Sequence, residues 1–153
     1  TDDVAKELKI SARNTGRGNP NAIKHFGVDL NTRQQKLLSQ LNGYDSKVIV
    51  NKSDVNLKDL AALTAKTGDE FAMFTRGSQR LIVRGNPNTV NININIAQSL
   101  HHSGYKWSGH THPGEGPFVK TASDGDKLIL EQFKQLQSVI YDSAGKFNIF
   151  GGD

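Results

Sequence analysis

Two histidines one residue apart, in Gly109-His110-Thr111-His112-Pro113, are the residues of this chain best placed to do chemistry. Side chains along a strand repeat every two residues, so a strand stopped by Pro113 turns both imidazoles to one side and Thr111 to the other. The pair can then reach one ion at about 2.0–2.1 Å from each nitrogen. The bland alternative is a solvated strand edge. Downstream, Ser123-Asp124-Gly125-Asp126 opens a helix. Ser123 and Asp126 have the spacing of a capping box, with the carboxylate favoured by the helix dipole. Asp126 is equally suited to be the third, oxygen ligand of a catalytic metal site that leaves its fourth position to water. The two roles are compatible, since Ser123 can cap the helix and still point its hydroxyl into the site. An activated water needs a base, and Glu70, opening a strand of the same sheet, is the candidate; its plain alternative is an exposed strand-start Glu. No cysteine occurs among the 153 residues, so disulfides and thiolate sites are excluded and any metal must sit on His, Asp or Glu.

A second chemistry fits some of the same residues. A metal-independent ribonuclease needs a general acid, a general base and a cation near the phosphate, and His110, His112, Lys120, Thr121 and Tyr141 supply those types. It has no use for Glu70 or for the Ser-x-x-Asp spacing. A third possibility is a binding module in which the His pair is structural.

The elements that must position these residues follow from periodicity and turn chemistry. Asn31 or Thr32 caps a helix with Leu37, Leu38 and Leu41 on one face, ended by Asn42-Gly43. Ser46 to Val50 is a strand, and Asn56 to Thr67 a helix with Leu57, Leu60, Ala61 and Thr64 as its stripe and Gly68 past its end. Glu70 to Arg76 and Gln79 to Arg84 flank Gly77-Ser78 as a hairpin. Val90 to Ile96 alternates with Asn and predicts a strand. Ala97 to His102 is a short helix, and Tyr105 to His112 the strand that carries the His pair, with Tyr105 and Trp107 alternating against Ser108 and His110. Ser123 to Gln135 is helical, with Leu128, Leu130, Phe133 and Leu136 for burial, and a final hairpin turns at Ala144-Gly145. The expected fold is α+β, an α/β sandwich with a central mixed sheet and flanking helices.

One domain suits this length. With 35% hydrophobic and 22% charged residues the chain is polar but not disordered. Its longest apolar runs, such as Val48-Ile49-Val50, fall far short of the roughly 20 residues that span a bilayer, so no membrane insertion is expected. The start, Thr1-Asp2-Asp3, is acidic with no apolar run behind it and is not expected to be a secretory signal. The net charge of +4 is dispersed rather than blocked, which suits solubility more than nucleic-acid binding. Lys6, Lys9, Arg13, Arg17 and Lys24 lie in a Gly- and Pro-containing stretch with few apolar residues, so 1–30 is expected to be an arm or linker, not needed by the core up to about Gly27. Residues 31–153 then form a single catalytic domain.

Taken together, Glu70 at a strand start, His110-Thr111-His112-Pro113, and Ser123 with Asp126 at a helix start resemble the JAMM (MPN-type) zinc metalloprotease motif of Glu, His-x-His-Pro and Ser-x-x-Asp, in the same order. The resemblance covers about 69–150 and implies a cytidine-deaminase-like, JAMM-type core. It implies one Zn²⁺ held by His110, His112 and Asp126, Glu70 as general base and acid, Ser123 stabilising the oxyanion, and cleavage of amide or isopeptide bonds in a protein substrate. The loop from His112 to Ser123 is longer than the family pattern has, which leaves Asp124 open beside Asp126 as the third ligand. A looser resemblance, over Asp69 to Arg84, Gly104 to Pro113, Ser-Asp-Gly-Asp and Ser138 to Tyr141, is to C-terminal effector domains of bacterial polymorphic and contact-dependent inhibition toxins. That likeness implies secretion or surface delivery into a target-cell cytoplasm and a cognate immunity protein.

Overall fold

The computed structural model of the protein describes residues 8–12 and 29–151. In chain order these form β1 (Lys9–Ser11), α1 (Thr32–Gln40), β2 (Lys47–Asn51), a 3₁₀ turn (Lys52–Asp54), α2 (Leu57–Thr67), β3 (Phe71–Arg76), β4 (Gln79–Arg84), β5 (Thr89–Asn93), α3 (Ile94–His102), β6 (Lys106–Thr111), α4 (Asp124–Gln132), β7 (Gln137–Tyr141) and β8 (Phe147–Gly151). The fold is mixed α+β. A six-stranded sheet runs in the order β2-β4-β3-β6-β7-β8, antiparallel except for the β6–β7 pair, and β1 pairs with β5 in a separate two-stranded sheet. The parallel pair follows from connectivity, because α4 carries the chain across the sheet between β6 and β7 and so brings it back in the same direction.

Each face of the large sheet has its own core. On one, Leu37, Leu41, Leu60 and Leu63 of the α1 and α2 region cover Phe71, Met73 and Ile82. On the other, Ile10, Val90, Ala97, Ile129, Leu130 and Phe133 cover Phe74, Trp107, Ile140 and Phe150. Alternation along β3, which sends Met73 to one side and Phe74 to the other, is what divides them. Local signals close the helices. Asn31 with Gln34 and Asn56 with Asp59 form capping boxes on α1 and α2, and Gly68 ends α2 in the left-handed conformation at φ 78°. Asp59 also accepts from Arg33 and Gln34, tying α1 to α2. Among the described residues, no helix is long and apolar enough to cross a membrane.

Four features depart from the reading of the sequence. Within the expected arm, Leu8–Ala12 belongs to the core: Ile10 is fully buried and Lys9–Ser11 pair with β5, while the rest of 1–28 lies outside the described residues. The Val90 to Ile96 alternation yields a strand only to Asn93, whose side chain accepts the Ile96 N–H at 3.0 Å and starts α3 at Ile94. Helix α4 stops at Gln132, and Leu136, expected to be buried, is 93% exposed where the chain turns toward β7. In its place Ile129 packs into the core with Leu130 and Phe133. Finally, β6 carries a bulge: Met73 pairs with Gly109 and Phe74 with Trp107, which leaves Ser108 without a counterpart. The extra residue moves Trp107 onto the same face as His110, against the simple alternation.

Candidate metal centre

His110 and His112 lie at the end of the central strand β6, where β3 on one side and β7 on the other fix the backbone. Thr111 faces the opposite way, its hydroxyl accepting the Phe71 N–H at 2.9 Å and meeting the Thr64 hydroxyl. That anchor locks the rotation of the strand, and with it both imidazoles, whose ring centres are 4.8 Å apart. Trp107 stacks on His110 at 4.8 Å. The loop after Pro113 returns over His112, whose Nδ1–H donates to the Val119 carbonyl at 2.7 Å. With Nδ1 committed to that carbonyl, Nε2 is the ring nitrogen that points inward. The loop is itself moored to the β7–β8 turn, where Asp142 accepts from Lys120 Nζ at 3.1 Å and Ser143 donates its N–H to Gly114.

Asp126 enters from the first turn of α4. Ser123 caps this helix, its Oγ accepting the Asp126 N–H at 3.0 Å while Asp126 Oδ2 accepts the Ser123 N–H at 3.2 Å. The other oxygen, Oδ1, accepts the Ser11 N–H at 2.9 Å. So held, Oδ2 lies 3.1 Å from the Nε2 of both histidines, and the two Nε2 atoms lie 3.1 Å from each other. An ion bound tetrahedrally at about 2.0–2.1 Å keeps its ligands roughly 3.3 Å apart, close to this triangle. The proton count also favours a cation. His112 Nε2 and Asp126 Oδ2 are acceptors, and neutral His110 brings at most one proton to them, so lone pairs converge without enough protons to separate them. The triangle therefore fits a metal ion.

Glu70 completes the cluster. Glu70, His110 and His112 are buried and offer ligand atoms all within 4.8 Å of one another, a group that can hold a metal ion. Glu70 Oε2 accepts the Ala12 N–H at 3.0 Å; Oε1 has no hydrogen-bond partner among the described residues and stands 3.8 Å from His112 Nε2. Burial pushes the Glu70 carboxyl well above its ordinary range, and the charge on Asp126 pushes the same way, against the pull of the Ala12 amide. Burial opposes the charge on Asp126, but the two imidazoles beside it, His110 foremost, hold it well below the usual carboxylate range. Burial also depresses His110, in spite of Asp126, and a neutral imidazole is the form that ligates. Two carboxyls in one pocket thus hold their protons very differently, one ready to ligate and one ready to carry a proton.

Glu70, His110, His112, Ser123 and Asp126 are brought together. The others named from the sequence are not. Asp124 is exposed, and Asp126 is the aspartate that faces the histidines. Lys120 is paired with Asp142, and the Thr121 hydroxyl donates to the Pro117 carbonyl at 3.2 Å. Tyr141 pairs with Thr111 across the parallel ladder, on the face away from His110, and packs on Phe147. Ser11, Ala12, Trp107, Val119 and Asp142 were not legible as site residues. Only one signal pointed to any of them. Gly125, an unfavourable residue inside a first helical turn, leaves room for β1. The chain matches no protein-family model, no curated protein and no solved structure, so the candidate site stands on its own residues and distances.

Proposed function

We propose that this chain is a zinc-dependent hydrolase of JAMM-like chemistry, cleaving amide or isopeptide bonds in protein substrates. The observation that carries the reading is the triangle of His110 Nε2, His112 Nε2 and Asp126 Oδ2 at 3.1 Å beside the unpartnered Oε1 of Glu70. Nitrogen and oxygen donors in a three-ligand set suit zinc, and the resemblance of the motif supports the same ion. When bound, zinc supplies Lewis acidity toward a water and toward the substrate carbonyl. Glu70, anchored through Oε2 and free at Oε1, takes the proton from the attacking water and delivers it to the leaving amine. Its raised proton affinity suits both halves of that transfer. The Ser123 hydroxyl already accepts the Asp126 N–H, which leaves its own proton to stabilise the oxyanion. The looser likeness to delivered toxin domains supports an effector acting in a target-cell cytoplasm and neutralised by a cognate immunity protein.

Metal analysis and turnover of wild type, Glu70→Gln and His112→Ala on amide- and isopeptide-linked substrates test the reading. Glu70→Gln is expected to retain zinc and lose about 10²–10⁴-fold in turnover. His112→Ala is expected to lose zinc and turnover together. A fully active Glu70→Gln protein overturns the mechanism. Cleavage of RNA that is lost in His112→Ala but survives Glu70→Gln and chelation would establish the ribonuclease instead, and zinc binding without any turnover the binding module.

A further inference from the structure

We infer that strand β1 is a working part of the metal centre, with Ser11 as the positioning residue for Asp126 and Ser123 and the Ala12 backbone as the anchor of Glu70. The inference rests on the hydrolase reading of the site and deepens it by assigning a role to a segment that lies more than fifty residues before the first motif residue.

Three hydrogen bonds run from two consecutive residues to three different site side chains. The Ser11 N–H donates to Asp126 Oδ1 at 2.9 Å, the Ser11 and Ser123 hydroxyl oxygens are 2.9 Å apart, and the Ala12 N–H donates to Glu70 Oε2 at 3.0 Å. Each is consequential. Holding Oδ1 of Asp126 directs Oδ2 at the two imidazoles. Holding Oε2 of Glu70 leaves Oε1 as the free oxygen. When the Ser11 hydroxyl donates to Ser123 Oγ, which also accepts the Asp126 N–H, both acceptor directions of Ser123 are filled and its proton must point elsewhere. Partners behind the ligands commonly matter to a metal site by 10–100-fold in affinity or activity.

The docking of β1 is built into the neighbouring element. A Cβ on Gly125 would stand 2.1 Å from the Lys9 carbonyl oxygen and 3.0 Å from Ser11 Oγ, so only glycine in the second position of α4 lets the strand pass this close. Ile10, fully buried between the two, fastens the strand into the core.

Full-length Ser11→Ala, Ser11→Thr and Gly125→Ala proteins test the role. The readouts are zinc affinity of the metal-stripped proteins, by competition with a chromophoric chelator, and kcat and KM on the substrate that wild type cleaves. Ser11→Ala should keep its zinc and its KM and lose about tenfold in kcat, with Ser11→Thr restoring it. Gly125→Ala, whose added methyl group would meet β1 rather than a ligand side chain and so forces the strand away, should weaken zinc binding by about 10–100-fold while circular dichroism shows the fold retained. A purely structural strand would lower the melting temperature and leave kcat and zinc affinity of the folded protein unmoved. Wild-type zinc affinity in Gly125→Ala, or wild-type kcat in Ser11→Ala, overturns the inference. Should wild type turn over nothing, the zinc affinities decide it alone, and a wild type that binds no zinc overturns the inference together with the reading beneath it.

Discussion

His112 has both ring nitrogens assigned, one to the Val119 carbonyl and one to the cluster, and this single residue converts a short motif into a directed lone pair. Its neighbour His110 offers a spectroscopic handle. Trp107 is the only tryptophan of the chain and stacks on that imidazole with ring centres 4.8 Å apart. Titrating the metal-stripped protein with Co²⁺ is therefore expected to quench its fluorescence saturably, and His110→Ala to abolish the response; an unquenched wild type would refute binding at this site. Glu70 gives a pH prediction. Burial and the Asp126 charge raise its pKa in the folded chain above the ordinary value of 4.5, so the folded state holds that proton more tightly than the unfolded state. The stability this confers is complete below the ordinary value and is lost as pH rises through the folded one. In metal-stripped protein Glu70→Gln, which cannot ionise, should match wild type near pH 4 and melt at a higher temperature than wild type near pH 8. Thermal melts at the two pH values decide this. The residue types and spacing here were legible in the sequence, but the Val119 contact was not, because a backbone carbonyl carries no sequence signature.

Among the elements, β6 shows how far periodicity reaches. It correctly puts His110 and His112 on one side, yet the bulge at Ser108 moves Trp107 to that side too, and a bulge arises from the pairing of two strands rather than from one. Gly109 sits in the bulge where a Cβ would meet Leu57 Cδ1 at 2.9 Å and the Val139 carbonyl oxygen at 3.0 Å. Gly109→Ala should therefore cost about 1–3 kcal/mol in urea unfolding, through overpacking between α2 and the sheet. The Asn93 boundary is the opposite case: a strand pattern and a helix cap share the same residues, and the cap prevails because Ala97, one turn on, is buried in the core.

Over the whole molecule, the core is closed by a segment distant in sequence. Ile10→Ala is expected to destabilise the fold by about 2–5 kcal/mol, measured by denaturant unfolding, since the side chain is fully buried among Val90, Ile129 and their neighbours. Acid acts at the seams between elements. Burial works against the charges on Asp59 and Asp142, but hydrogen bonds from Arg33 and Lys120 hold both carboxyls below their ordinary value of 3.8. Stability from these seams is present above that value and lost as pH falls through the lowered ones, so Asp142→Asn should narrow the loss of melting temperature between pH 5 and pH 2.5. Sequence by itself determined the α+β class, most of the strands and helices, the shared side of His110 and His112, and the capping box that delivers Asp126, because each depends on contacts within a few residues. Tertiary structure alone decided that Glu70 meets the histidines, that Asp126 rather than Asp124 faces them, and that Lys9–Ser11 is core rather than arm. Those outcomes require strands paired across long stretches of chain, and for β1 the apolar content of the segment is so small that only its partners, Val90 on β5 and the space above Gly125, reveal where Ile10 belongs.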